Sequence, residues 1–103
     1  MTIPQISVFL ENKAGQLADI TGILSENHVN MRAINIAETA DYGVLRLIVD
    51  DASKASAILL EQGFILTMTP VVGVAVPDTP GGLSKVLGVI SAADIDVEYM
   101  YSV

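Results

Sequence analysis

Two six-residue stretches, Asn12-Lys13-Ala14-Gly15-Gln16-Leu17 and Asp78-Thr79-Pro80-Gly81-Gly82-Leu83, have residue types and spacing that can do chemistry. Each puts a short oxygen-bearing side chain three residues ahead of a glycine and five ahead of a leucine. Each follows an apolar run and leads into a helical pattern. A loop that enters a helix leaves the first amide N–H groups without intrahelical partners, and the helix dipole makes that end partly positive. Glycine removes the side chain that would block close approach, so such a place suits a carboxylate. The oxygen of Asn12 or Asp78 can receive an ammonium group. These are the two ends of a free amino acid.

Taken singly, the same residues are ordinary helix caps and turn formers. Other candidates point to less. His28 is the only histidine and sits at a helix end, without the context of a nucleophile and its base. Asp94, Asp96 and Glu98 alternate but lack calcium-loop spacing, so they read as a solvated strand start. Pro80-Gly81-Gly82, followed by Gly88, matches neither a phosphate loop nor a dinucleotide fingerprint. Tyr99 and Tyr101 share a face if their segment is extended, where they either line a pocket or cover a sheet. No constellation for catalysis appears and no cofactor is implied, so the reading is of a protein that is not an enzyme.

The elements that must hold the loops follow from periodicity. Ile6, Val8 and Leu10 alternate as a strand. Leu17, Ile20, Ile23 and Leu24 recur at helical spacing to about Glu26, with Asn27 able to take the left-handed stop. Met31 to Glu38 and Val44 to Val49 read as strands around Asp41-Tyr42-Gly43. Asp50 and Asp51 can cap a helix from Ala52 to Gln62, Gly63 stops it, and Phe64 to Thr69 returns as a strand. The order strand-helix-strand-strand-helix-strand over 1–69 is a ferredoxin-like α+β unit, an antiparallel sheet with both helices on one face. Residues 70–103 begin a second strand-helix-strand, with its first strand at Val71 to Val76.

Composition narrows the partners. Five Lys or Arg against twelve Asp or Glu give a net charge of −7, and the five are scattered, which speaks against nucleic acid and anionic membrane surfaces. There are no cysteines, so disulfides and thiolate sites are excluded. No secretory leader and no apolar run of membrane-spanning length stand out, which is the pattern expected of a cytoplasmic protein.

The two loops belong to a repeat. Gly15 maps onto Gly81 at an offset of 66 (81 − 15), and the offset holds without a gap from Val8/Val74 to Ile36/Ser102. It pairs Leu17 with Leu83, Ile20 with Val86, Gly22 with Gly88 and Leu24 with Ile90. Matches fall on glycines and apolar helix positions, where a shared backbone demands them. The second copy stops inside its second strand. The expectation is either a fragment of a longer chain or a fold completed by a neighbouring chain.

ISVFLENKAGQLADITGILSENHVNMRAINI resembles the opening of an ACT domain, and VGVAVPDTPGGLSKVLGVISAADIDVEYMYS resembles a second opening. The family pattern is an apolar strand, Asp/Asn-x-Pro-Gly-x-Leu, a helix, and a residue such as Asn at the next strand's start. Asp78 to Leu83 fits throughout; the first loop departs at Ala14. Asn30 fits the strand start and Asp96 fits in part. The first copy also resembles the small regulatory subunit of acetolactate synthase. The resemblance implies a regulatory module that binds a small amino acid between units and acts through a homodimer or a partner enzyme of amino-acid metabolism. The alternative is an assembly module whose loops stay empty. By the same resemblance the first loop would face Glu98 to Tyr101, bringing in Met100 and Tyr101. The second would face Ala33 to Ile36, bringing in Asn35 and Ile36.

Overall fold

The computed structural model describes residues 1–11, 14–38 and 42–103. Asn12, Lys13 and Asp41 of the readings above lie outside the described residues. Strands β1 (Thr2–Glu11), β2 (Met31–Glu38), β3 (Tyr42–Val49) and β4 (Ile65–Val72) alternate with helices α1 (Gln16–Glu26) and α2 (Ala52–Glu61), and α3 (Gly82–Ala92) follows. The sheet order is β2-β3-β1-β4 with every neighbouring pair antiparallel, which is the ferredoxin-like α+β arrangement.

Alternation along the strands sends Ile6, Val8, Leu45, Leu47 and Val49 to one face, where they meet Ile20 and Leu24 of α1 and Ala55 and Leu59 of α2 in the main core. Asp51 caps α2 by accepting from the Lys54 amide at 3.1 Å. Asp50 instead ties β3 to the start of β2, through its own amide to the Asn30 carbonyl and its Oδ1 to the Asn30 amide.

The repeat is written in the backbone. Gly15 and Gly81 each cap their helix in the left-handed conformation at φ 86°, and His28 and Asp94, also 66 apart, have φ 59° and 58°. Past α1 the amides of His28 and Val29 bond to Ser25 and Leu24; past α3 those of Asp94 and Ile95 bond to Ser91 and Ile90. This is one C-terminal capping motif used twice. The left-handed stop falls on His28, one residue beyond the expected Asn27, whose φ is −98°.

Outside the helix, the second copy departs from its reading. β4 does not close at Thr69; it runs through Pro70, paired with Pro4, and takes Val71 and Val72. Pro70 is tolerated because β4 is an edge strand whose outer side needs no donor. The strand expected to start at Val71 therefore does not form separately, and 73–77 and 95–103 are in no strand. An extended segment becomes a strand only beside a partner, and no described strand flanks either one.

The segment after α3 instead crosses the sheet face away from the main core. Gln5, Ser7, Arg46 and Ile48 alternate onto that face. Gln5 is 0% exposed and Ile48 4%, although neither belongs to the main cluster. Tyr99 and Tyr101, from the second half of the chain, lie over Gln5.

Candidate functional site

Both loops form. Ala14 and Gly15 are exposed ahead of α1, and Asp78 to Gly81 are exposed ahead of α3. Neither helix start receives a side-chain capping bond from its glycine cap. A Cβ on Gly15 or Gly81 would meet no atom of the described residues within 4 Å, and glycine is favoured there by its positive φ. In the second loop the Gly82 amide bonds to Thr79 O at 3.0 Å, and the first helical bond runs from Lys85 to Gly81. The Leu83 and Ser84 amides between them meet no acceptor among the described residues.

The loops differ in detail. A Cβ on Gly82 would lie 2.4 Å from the Pro77 carbonyl oxygen, so the second loop curls tightly enough to exclude a side chain. Its counterpart Gln16 has one, with Oε1 buried and unpartnered among the described residues. α1 carries Asp19 in its first turn; α3 has no acid there, and Lys85 stands at the equivalent place. The start of α3 is therefore the more favourable for an anion.

The other expected residues separate into groups. Leu17 is half-buried against the main core, whereas Leu83 is exposed. Asn30 sits beyond the far end of α1, whose 11 residues span about 16 Å, and it lines a shallow hollow of roughly 380 Å³ with Ser25, His28, Val29 and Met31. Ile36 and Met100 are exposed. Asn35 and Tyr101 are joined in one cluster that the sequence did not reveal. Tyr101 donates to Gln5 Oε1 at 2.6 Å, and Gln5 Nε2 donates to Tyr99 Oη at 2.9 Å and to Ser7 Oγ at 3.2 Å. The tyrosine rings stack at 6.5 Å, the Arg46 guanidinium lies 3.8 Å from the Tyr99 centroid, and Arg46 Nη1 donates to Asn35 Oδ1 at 3.1 Å.

Tyr99 and Tyr101 thus cover the sheet. Burial raises the Tyr101 phenol above its ordinary value, Tyr99 adds to the rise, and Arg46 opposes it. The cluster is centred on Gln5, six residues along β1 from Glu11, which is about 20 Å of strand. Within one chain, Tyr101 therefore lies well away from the start of the first loop. Gln5 and Arg46 were missed because their partners are remote in sequence; the visible signal was a glutamine between Pro4 and Ile6 and an arginine between Leu45 and Leu47.

Among the described residues no group of three or more His, Asp or Glu could hold a metal, and no helix is long and apolar enough to cross a membrane. The four-stranded sheet, helix-covered on one face, with two glycine-capped helices in the chain, defines a ferredoxin-like α+β module. All of residues 1–103 match the ACT domain pair family, and the chain belongs to it. A crystal structure of a protein from Bacteroides thetaiotaomicron is 47% identical, covers 100% of this chain and 72% of its own, and superposes with a TM-score of 0.94. The ligand-free regulatory subunit of aspartate kinase from Thermus thermophilus shares the fold at 19% identity, with 97% of this chain and 76% of its own covered and a TM-score of 0.70. No curated protein matches the chain.

Proposed function

We propose that the protein is a non-catalytic regulatory module that binds a small free amino acid at its glycine-capped helix starts. The observation carrying this is the pair of caps, Gly15 and Gly81, held at the same φ of 86° with no described atom within 4 Å of where a Cβ would stand and no side chain of their own. The α-carboxylate takes the free amides at the helix start, and Asp78, or Asn12 in the first loop, takes the ammonium. Lys85 makes the second loop the stronger of the two. A neighbouring copy brings the edge of its β2, with Asn35 and Ile36, against the loop. A ligand touching both units then favours one relative arrangement, and this is how occupancy reaches an oligomer or a partner enzyme of amino-acid metabolism in the cytoplasm.

The test is a thermal-shift panel of the twenty amino acids. One or two should raise the melting temperature, because a ligand that binds only the folded form stabilises it. Gly81→Val, checked for folding by circular dichroism, should remove most of the shift, and Gly15→Val the remainder. A shift that survives both changes rules the loops out. A second reading, an assembly module with empty loops, draws on the apolar side chains exposed in the second copy, among them Leu83 and Val89. A flat panel from a protein that sizes as a dimer would favour it.

A further inference from the structure

Arg46 is the only Lys or Arg of the described residues that the fold draws partly out of solvent; Arg32, Lys54 and Lys85 are exposed. It does so in a chain of net charge −7, where carboxylates are plentiful. Yet no acidic side chain among the described residues forms an ion pair with it. Its hydrogen bond goes to the amide oxygen of Asn35, and its flat face rests on Tyr99. A guanidinium has five N–H donors in a rigid fork, and a partly desolvated one with only a neutral acceptor is left underpaired.

The surroundings supply further donors. Because Oδ1 of Asn35 accepts from Arg46, the other end of that amide, Nδ2, is a donor. Ser7 stands directly across from Arg46 in the β1–β3 register, and its hydroxyl accepts from Gln5, which leaves its proton available. Asn35 lies on β2, which pairs only with β3 among the described strands, so the cluster begins on an edge strand of the sheet.

We propose that Arg46 and Asn35, with Ser7 behind them, form a receptor for a small carboxylate anion that enters from the outer edge of β2. The planar fork and the amide match a planar carboxylate bidentately, which a spherical halide cannot reproduce. A single cation inside a negative protein suits a monoanion better than a phosphate dianion. Tyr99 holds the guanidinium plane in place, so little order has to be created on binding. This receptor shares Asn35 and the β2 edge with the loop site proposed above, but its anion is held by Arg46 rather than by the helix starts, and the variants below separate the two.

The test uses the full chain and sodium acetate as probe, against sodium chloride and sodium phosphate at equal ionic strength. Acetate should raise the melting temperature by a few degrees and saturate in the millimolar range, and chloride should not. Arg46→Gln should abolish the acetate response, and Arg46→Lys should weaken it by about tenfold. These measurements are made in the Gly15→Val/Gly81→Val background, where the helix starts no longer take a carboxylate, and the acetate response should persist there. Asn35→Asp provides an independent arm that needs no loss of the arginine: a built-in carboxylate should raise the starting melting temperature and remove the acetate response. Equal responses to acetate and chloride, a response to phosphate alone, or an acetate response that survives Arg46→Gln or Asn35→Asp would each overturn the proposal.

Discussion

Helices α1 and α3 make an internal comparison. Their caps agree closely at both ends, but their surroundings do not. Ile20 and Leu24 of α1 are fully buried, whereas in α3 the counterparts Val86 and Ile90 are only half-buried and Val89 is 70% exposed. Cap geometry is therefore set by a few local residues, while burial depends on what lies opposite: α2 and the core side chains of β1 and β3 supply it to α1, and α3 packs little against the other described elements. Local sequence fixes where a helix starts and stops; it does not supply the core that stabilises it.

The largest expected effect tests that contrast. Leu24→Ala should cost about 2–5 kcal/mol in urea unfolding, as for other buried leucines, and Ile90→Ala less than about 2 kcal/mol. Equal losses would mean that α3 is buried in solution against something further. Next is the attachment of the second copy to the first sheet. Gln5→Leu removes both tyrosine partners at once and should cost about 2 kcal/mol, read as at least a tenfold faster exchange of the bonded amides at 93–95 that begin the segment. Unchanged exchange there would show that apolar contact alone holds the segment.

A smaller effect separates the loops. Gly82→Ala should destabilise α3 by about 1–2 kcal/mol, because its Cβ runs into the Pro77 carbonyl, while Gln16→Ala at the equivalent place should be nearly neutral by thermal melting. The smallest is pH-dependent. The folded chain holds the Tyr101 proton more tightly than the unfolded one. Its contribution is therefore complete below the ordinary phenol range, near pH 10, and is lost as pH rises through the raised value. Tyr101→Phe should flatten that alkaline slope in melting curves.

The four strands of the first unit, its two helices and the repeat were legible because each rests on short-range pattern: alternation, helical spacing, and glycine at the turns. The cap glycines were legible for the same reason. Where the reading failed, the deciding partner was distant. Residues 95–103 alternate as a strand does, but a strand needs a neighbour, and here the segment is held by side chains instead. Gln5 meets Tyr99 and Tyr101, which are 94 and 96 residues away in the chain, so no local window shows that this glutamine is buried and paired. The fourth strand reads as ending at Thr69, yet an edge position facing Pro4 lets it continue through Pro70. The sheet cluster around Arg46 was invisible because scattered cations look alike until a fold brings one of them inside.

The two ends of the Gln5 amide are not interchangeable: one gives a proton to Tyr99 and the other takes one from Tyr101. Nothing in the backbone fixes how far the final segment slides along the sheet, since it has no ladder to count against. The amide does that counting. A slip of one residue would present Glu98 or Met100 to it, and a slip of two would leave Val103 where a phenol must donate. A single side chain in the first strand thereby indexes the last nine residues of the chain.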